Sequence, residues 1–204
     1  MPTKYFTADE QDALQEVVNI AMGQAGDSLA RILDSFVHLS IPKIRVIEAA
    51  DVGKAVLETV GQNYEVSAVR QAFYDSLRGE AITLFTLNGC KDIADLMGYE
   101  GELNVVAEQE LLLDVANILV GAILNGITET LGLELGYSAP SIMAERTCLD
   151  NIISPDKLSW SYALLLEVNF TLEDRDFRSH VLLLLAEEAI DSLHQKITRF
   201  MDSI

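Results

Sequence analysis

The chain has 204 residues, a length that suits one domain or two small ones. It carries 32 acidic and 14 basic residues, for a formal net charge of -18, and so lacks the basic surface that a nucleic-acid-binding protein needs. An anionic membrane would repel such a chain as well. Half of the residues are hydrophobic, which is enough for a sizeable core, and the acidic excess suits a protein partner that presents basic groups.

The sequence predicts a cytoplasmic protein with no membrane insertion. Its first ten residues hold one lysine and no apolar run, unlike a signal peptide, and apolar stretches such as 181–186 are too short to span a bilayer. In that compartment the isolated Cys90 and Cys148 are expected to be buried thiols. The three histidines show no metal-ligand spacing, so no metal site is predicted.

The first elements follow from a helix start signal and a proline. Thr7 and Glu10 have the spacing of a capping box, so a helix is predicted from Thr7 to about Phe36. An extended segment over 40–48 should follow, and then a short helix over 49–59.

The middle of the chain predicts a hairpin, and the second half repeats the pattern. Extended runs over 64–74 and 80–87 flank a turn at 76–79, which supplies a glycine, and a short helix over 91–97 follows. The second half is predicted as a helix over 107–131, strands over 138–147, 159–171 and 178–186, and a helix over 187–201. Units of this kind indicate an α+β fold in which two long helices pack on an antiparallel sheet.

An internal repeat relates the two halves. With an offset of 98 and no gap, the segment 10–42 aligns with 108–140. The identical pairs are Val17/Val115, Asn19/Asn117, Ile20/Ile118, Gly23/Gly121, Leu33/Leu131, Ser40/Ser138 and Pro42/Pro140. We therefore predict one domain over 1–204, built from half-repeats of about 7–98 and 105–204 related by a pseudo-two-fold axis.

Each long helix carries a polar stripe. Spacings of 4, 3 and 4 residues place its members on one helical face. The first stripe is Asp12, Glu16, Asn19 and Gly23, and the second stripe is Glu110, Asp114, Asn117 and Gly121. The second helix is otherwise apolar almost all round and should be largely buried, so its stripe must face water or a partner. Asparagine and glycine both weaken a helix interior, and their occurrence at the same places twice indicates function.

The two stripes fit a known motif: Asp or Ser, three residues, Glu, two residues, Asn, 22 residues, Pro. The first copy, Asp12, Glu16, Asn19 and Pro42, matches at every position. The second copy keeps Asn117 and Pro140 but has Glu110 for the leading Asp or Ser and Asp114 for the Glu. In this respect the chain resembles the CheC/CheX/FliY phosphatases, and two copies resemble CheC, whereas CheX-like proteins carry one.

The resemblance implies an activity and residue roles. Members of this family hydrolyse the aspartyl phosphate of the CheY response regulator; their Glu engages a lysine of the regulator and their Asn orients the attacking water. Carried over, the catalytic residues are Glu16 and Asn19 in one site and Asp114 and Asn117 in the other. Asp12, Gly23, Glu110 and Gly121 complete the stripes and are expected to contact the partner. The resemblance implies no cofactor of the chain's own, since the regulator carries the Mg²⁺.

Two other functions remain open. The chain could act mainly as a scaffold that binds and regulates a CheD-type receptor deamidase, because Asp114 departs from the motif. It could also be a structural part of the flagellar switch, as the likeness to FliY allows, although that kind of member carries additional switch-binding sequence for which 204 residues leave no room. From the shared stripe and the repeat, we expect the two long helices to lie side by side, with Asn19 and Asn117 both solvent accessible on the same broad surface.

Overall fold

The first helix begins at the predicted capping box. In the computed structural model the Thr7 amide donates to Glu10 Oε2 at 2.8 Å, and the Glu10 amide donates to Thr7 Oγ1 at 3.3 Å. The helix covers Ala8–Leu33 and is closed by Asp34, whose φ of 44° lies in the left-handed region. It therefore ends before the predicted Phe36, because a left-handed residue at the C-cap stops the helix.

The structure describes residues 6–60, 65–86, 90–101, 103–148, 152, 162–172 and 178–202. The helices are α1 (Ala8–Leu33), α2 (Val52–Val60), α3 (Cys90–Leu96), α4 (Val105–Leu131) and α5 (Glu187–Met201). The strands are β1 (Val37–Leu39), β2 (Lys43–Glu48), β3 (Glu65–Asp75), β4 (Gly79–Thr86), β5 (Leu135–Tyr137), β6 (Ser141–Cys148), β7 (Tyr162–Leu172) and β8 (Arg178–Ala186). A 3₁₀ turn, Ala49–Asp51, precedes α2.

Each predicted strand that follows a long helix starts later than expected and is preceded by a short strand that was not predicted. The segment predicted over 40–48 contains β2, with β1 before it, and the segment over 138–147 contains β6, with β5 before it; a break separates the two strands in each half. Each break contains a proline, Pro42 or Pro140, which has no amide hydrogen for the ladder. Over the described residues, the remaining predicted helices and strands agree with the structure to within a few residues at each end; positions 64, 87 and 159–161 of the predicted strands lie outside those residues.

The strands form one curled antiparallel sheet, as predicted. Its order is β1-β7-β8-β4-β3-β5, with β2 also paired to β7 and β6 also paired to β3. Exchanging the first half of the chain for the second leaves this order unchanged, which puts a pseudo-two-fold axis between β8 and β4. The strands that follow each long helix pair with the hairpin of the other half, so the halves exchange edge strands.

The sheet is buried on both faces at its centre. Side chains alternate along β8: Val181, Leu183 and Leu185 join the core under α1 and α4, whereas Leu182 and Leu184 join a smaller core under α2. The unbroken apolar run in this strand follows from that double burial.

Helix α4 is the most apolar element. Among the described residues it is the one helix that is long and apolar enough, by length and composition, to cross a membrane. The prediction from unbroken apolar stretches did not find it. In the structure 61% of its most apolar window is buried inside the protein. Its composition therefore matches that of a core helix, as its apolar circumference predicted.

The two cysteines differ in burial. Cys90 is buried; its surroundings and the neighbouring Glu108 raise the pKa of the thiol to about 12. Cys148 is exposed at the end of β6, which lies at an edge of the sheet, so the prediction of a buried thiol is wrong for this residue.

Candidate functional site

The two long helices touch backbone to backbone. A Cβ atom added to Gly126 of α4 would lie 2.7 Å from the Cα and 2.9 Å from the carbonyl oxygen of Ala21 in α1. Only glycine allows this approach. The helices are therefore direct neighbours, as the repeat predicted, and their stripes lie on one helix pair.

Both asparagines are exposed, which confirms that prediction. Asn19 and Asn117 are each exposed to solvent, well inside a long helix. All four stripe carboxylates are exposed too, and within the described residues none of them makes a side-chain hydrogen bond or an ion pair. These four are Asp12, Glu16, Glu110 and Asp114. Their charges are thus free for a partner.

The stripe glycines are not required by the packing of the chain. A Cβ added to Gly23 or Gly121 would meet no atom within 4 Å. This distinguishes them from Gly126, which the contact of the helices demands. Because the space above these two helical glycines is open, close approach by another molecule is a reason for their presence.

In the first site a glutamine holds the asparagine against the following loop. Gln15, one turn before Asn19, donates from Nε2 to Asn19 Oδ1 at 3.3 Å and to the carbonyl oxygen of Pro42 at 3.1 Å. The amide of Gln15 therefore bridges the helix and the motif proline. We call the three residues the first amide cluster.

The second site has a similar arrangement, with a glutamine from the sheet and a carbonyl from the start of the loop rather than from its proline. Gln71 of β3 donates from Nε2 to Asn117 Oδ1 at 2.9 Å and to the carbonyl oxygen of Ser138 at 2.9 Å. Gln71 is 4% exposed, so this bridge forms at the edge of the core. These three residues are the second amide cluster.

The loops that supply the carbonyls are fixed in the same way in both halves. The Ser40 amide donates to the Asn169 carbonyl at 3.0 Å, and Ser40 Oγ accepts from the Asn169 amide at 3.1 Å. Ser138 makes the equivalent pair of bonds with Ala72 at 2.9 and 3.0 Å. Each Ser-x-Pro loop is thus anchored to a strand of the other half, which explains the fixed spacing from asparagine to proline.

Each asparagine borders a cleft, but the two clefts differ in place. A cleft of about 490 Å³ lies between α1 and the first Ser-x-Pro loop, with Asn19 and Gly23 in its wall. A cleft of about 370 Å³ lies along the seam of α1 and α4, with Asn117 and Gly121 in its wall. The pseudo-two-fold axis therefore does not relate the surroundings of the two sites.

The rim of the first cleft is more apolar than the equivalent surface of the other half. Phe36 is 61% exposed and Ile41 is 79% exposed beside it. The repeat puts Glu134 and Ala139 at these positions in the second half. Exposed large apolar side chains beside a cleft are typical of a contact surface for another protein.

Sequence reasoning missed the two glutamines. Gln15 stands four residues before Asn19, a spacing at which helical side chains meet, so a local signal existed. Gln71 lies 46 residues before Asn117, and the packing of α4 on β3 brings the two together.

The expectation that the chain carries no metal of its own stays a prediction. The described residues contain no group of three or more His, Cys, Asp or Glu placed to hold a metal ion.

Comparison with known proteins identifies the fold. No family model and no curated protein matches the sequence. Among solved structures, FliY from Thermotoga maritima matches with a TM-score of 0.70 at 21% identity, over 96% of this chain and 98% of that one. The chain has the CheC-like fold. CheX from Desulfovibrio desulfuricans shares it, with a TM-score of 0.53 at 14% identity over 82% of this chain and 99% of that one.

The CheC-like fold also occurs in a protein of a different kind. The FliM middle domain from H. pylori matches with a TM-score of 0.61 at 10% identity, over 93% of this chain and 99% of that one. The fold confirms the predicted architecture, whereas the function must be argued from the site residues.

Proposed function

We propose that this protein hydrolyses the aspartyl phosphate of a CheY-type response regulator. The observation that carries the proposal is the doubled site: two exposed asparagines on adjacent helices, each held by a glutamine and each one turn from a free carboxylate. The fold itself does not need these exposed polar groups. They stand at the motif positions of known phosphatases, once in each half of the chain.

The chemistry requires little more than this from the enzyme. In the reaction a water oxygen bonds to phosphorus while the bond from phosphorus to the aspartyl oxygen breaks, and the proton of the water passes to the released phosphate. Phosphoryl transfer of this kind depends on an in-line nucleophile and on charge neutralisation. Asn19 and Asn117 would each hold that water. A carboxamide is neutral and does not repel the phosphoryl oxygens.

The carboxylates are proposed to dock the regulator. Glu16 and Asp114 would each accept a charge-assisted hydrogen bond from the regulator's lysine, and the overall charge of -18 would steer a basic surface towards the helix pair. The regulator would also bring the Mg²⁺ that neutralises the phosphoryl oxygens. Since this partner is a cytoplasmic signalling protein, we place the chain in the cytoplasm.

The decisive experiment follows the decay of a phosphorylated CheY-type regulator with Mg²⁺ present. Substoichiometric amounts of the protein should accelerate phosphate release over many turnovers, and the double variant Asn19→Ala/Asn117→Ala should leave the decay at the regulator's own rate. If the wild-type protein slows the decay or leaves it unchanged, the protein is not a phosphatase of this regulator.

A scaffold is the second candidate. It is favoured by the FliM likeness and by Asp114, which stands where the motif has Glu. In that case the protein would bind a partner, such as a CheD-type deamidase, through the same exposed helix pair without turnover. Binding of the regulator or the deamidase together with an unchanged phosphate decay would establish this function.

Replacing the stripe glycines should separate stability from activity. Gly23→Ala and Gly121→Ala should each raise the free energy of unfolding by up to about 1 kcal/mol, because alanine is the better helix former and its methyl group meets open space. Each should lower phosphatase activity in its own site, because the methyl group occupies the space into which the regulator must fit. Urea denaturation and initial rates measure the two effects. A more stable variant with full activity would mean that the glycine does not face the partner.

A further inference from the structure

We propose that Gln15 and Gln71 are positioning residues that lock Asn19 and Asn117 with the carboxamide NH₂ group facing outward. The inference rests on the proposed function, since it specifies which atom of each asparagine meets the water or the phosphoryl oxygens. Neither glutamine belongs to the motif that relates the two halves.

The first amide cluster fixes the orientation through an atom that can only accept. The two orientations of a carboxamide have nearly the same shape but exchange a donor for an acceptor. The Pro42 carbonyl lies 3.1 Å from Gln15 Nε2 and accepts, so the NH₂ group of Gln15 must face it. The same NH₂ group lies 3.3 Å from the Asn19 carboxamide, so Asn19 must turn its oxygen inward. The NH₂ group of Asn19 then faces outward.

The second amide cluster gives the same result in a tighter setting. The Ser138 carbonyl fixes Gln71, and Gln71 fixes Asn117, with both donor–acceptor distances 2.9 Å. Within the described residues the other atom of the Gln71 amide, Oε1, is buried without a hydrogen-bond partner. A buried unpaired oxygen weakens the fold, so an apolar side chain would serve the sheet better here.

The glutamines are not copies of each other. The repeat puts Leu113 opposite Gln15 and Val168 opposite Gln71. One half supplies its glutamine from a helix and the other from a strand, yet each reaches an asparagine and a loop carbonyl. The loop carbonyls differ as well, Pro42 in one half and Ser138 in the other, so what the two clusters share is the orientation of the asparagine.

The test compares two substitutions of Gln15 in an Asn117→Ala background, where only the first site can act. Gln15→Leu removes the restraint, and both orientations of Asn19 become available, so kcat should fall about twofold. Gln15→Glu introduces a group that only accepts; it binds the NH₂ group of Asn19 and reverses the carboxamide, so kcat should fall on the order of tenfold or more. KM should change little in both. A structural role predicts the opposite ranking, because Glu keeps the shape of Gln and Leu does not. A loss with Gln15→Glu no greater than with Gln15→Leu would overturn the proposal.

Gln11→Glu is the matched control for charge. Gln11 lies one turn before Gln15, and its amide donates to the Phe6 carbonyl at 3.3 Å. The substitution adds the same negative charge to the same helix without touching Asn19, and kcat should stay within about twofold of the parent. A loss equal to that of Gln15→Glu would assign the effect to charge and contradict the proposal.

A spectroscopic measurement makes the result independent of catalysis. The side-chain amide signal of Asn19 in the ¹⁵N-labelled protein is assigned by its absence in Asn19→Ala. In Gln15→Glu its NH₂ protons should shift and exchange more slowly with water, because they are bound to a carboxylate. An unchanged signal would refute the positioning role even in an active phosphatase. A shifted signal in a protein without phosphatase activity would support the positioning role and remove the proposed function.

Discussion

Asn19→Ala should reduce the phosphatase rate on the order of 10²-fold, whereas Asn117→Ala should have almost no effect. The reason is the length of the neighbouring carboxylate. Asp114 is one methylene shorter than the Glu16 at the equivalent position, about 1.5 Å at carbon–carbon length. A misplacement of about 1 Å can lower a rate on the order of 10²-fold, so the second site should contribute about one part in a hundred.

The surroundings of the first site support the same ranking. The exposed Phe36 and Ile41 beside Asn19 offer apolar contact area that Glu134 and Ala139 do not offer in the other half. A partner that docks through an apolar surface would therefore occupy the first site more often. Phosphate release should be measured for both single variants and for the double variant, which should be close to inactive.

Asp114→Glu is the control for this ranking. It restores the motif at the second site and should leave activity unchanged or raise it. Glu110, exposed one turn earlier and longer than Asp114, is an alternative partner for the regulator's lysine. If Asn117→Ala proves the more damaging single change, the shorter carboxylate is functional and the ranking of the sites is reversed.

Gly126→Ala should lower the free energy of unfolding by about 1–3 kcal/mol, although alanine is the better helix former. The added methyl group would lie 2.7 Å from the Ala21 Cα, and a backbone atom can only give way if α1 and α4 separate. Overpacking at the contact then outweighs the gain in helix propensity, which is about 1 kcal/mol. Urea denaturation monitored by circular dichroism measures the change.

Gly121→Ala is the matched variant, since it makes the same replacement five residues earlier in the same helix. It should stabilise the protein, because its methyl group meets no atom within 4 Å. The two substitutions should therefore change stability in opposite directions. Equal stability of Gly126→Ala and the wild-type protein would show that the helices are not in backbone contact.

The sequence predicted the elements whose signals are local. The capping box of Thr7 and Glu10 determines where α1 begins, and the turn before Gly79 determines the hairpin of β3 and β4. The two stripes were predicted on α1 and α4 because helical periodicity needs no knowledge of distant residues. Exposure of Asn19 and Asn117 followed from the same periodicity.

The rest depends on contacts between distant segments. Nothing near Gln71 in the sequence indicates that α4 packs on β3, which is what brings this glutamine to Asn117. The repeat even obscured the glutamines, because they occupy different positions in the two halves. The place of the clefts is equally unpredictable from the stripes, because loops and neighbouring helices form their other walls.

The exchange of edge strands between the halves has a consequence for the way the chain folds. Val37 near the start of the chain pairs with Leu172 near its end, so β1 cannot join the sheet until β7 has been synthesised. Pairings between such distant residues slow folding, because the intervening loop must close before the contacts form. During synthesis the hairpin of β3 and β4 precedes both of its neighbours and exposes unpaired edges, which invite association with other chains. The strand pairing that holds the loop carbonyls of both amide clusters thus leaves the nascent chain with unpaired edges until its last strands have been made.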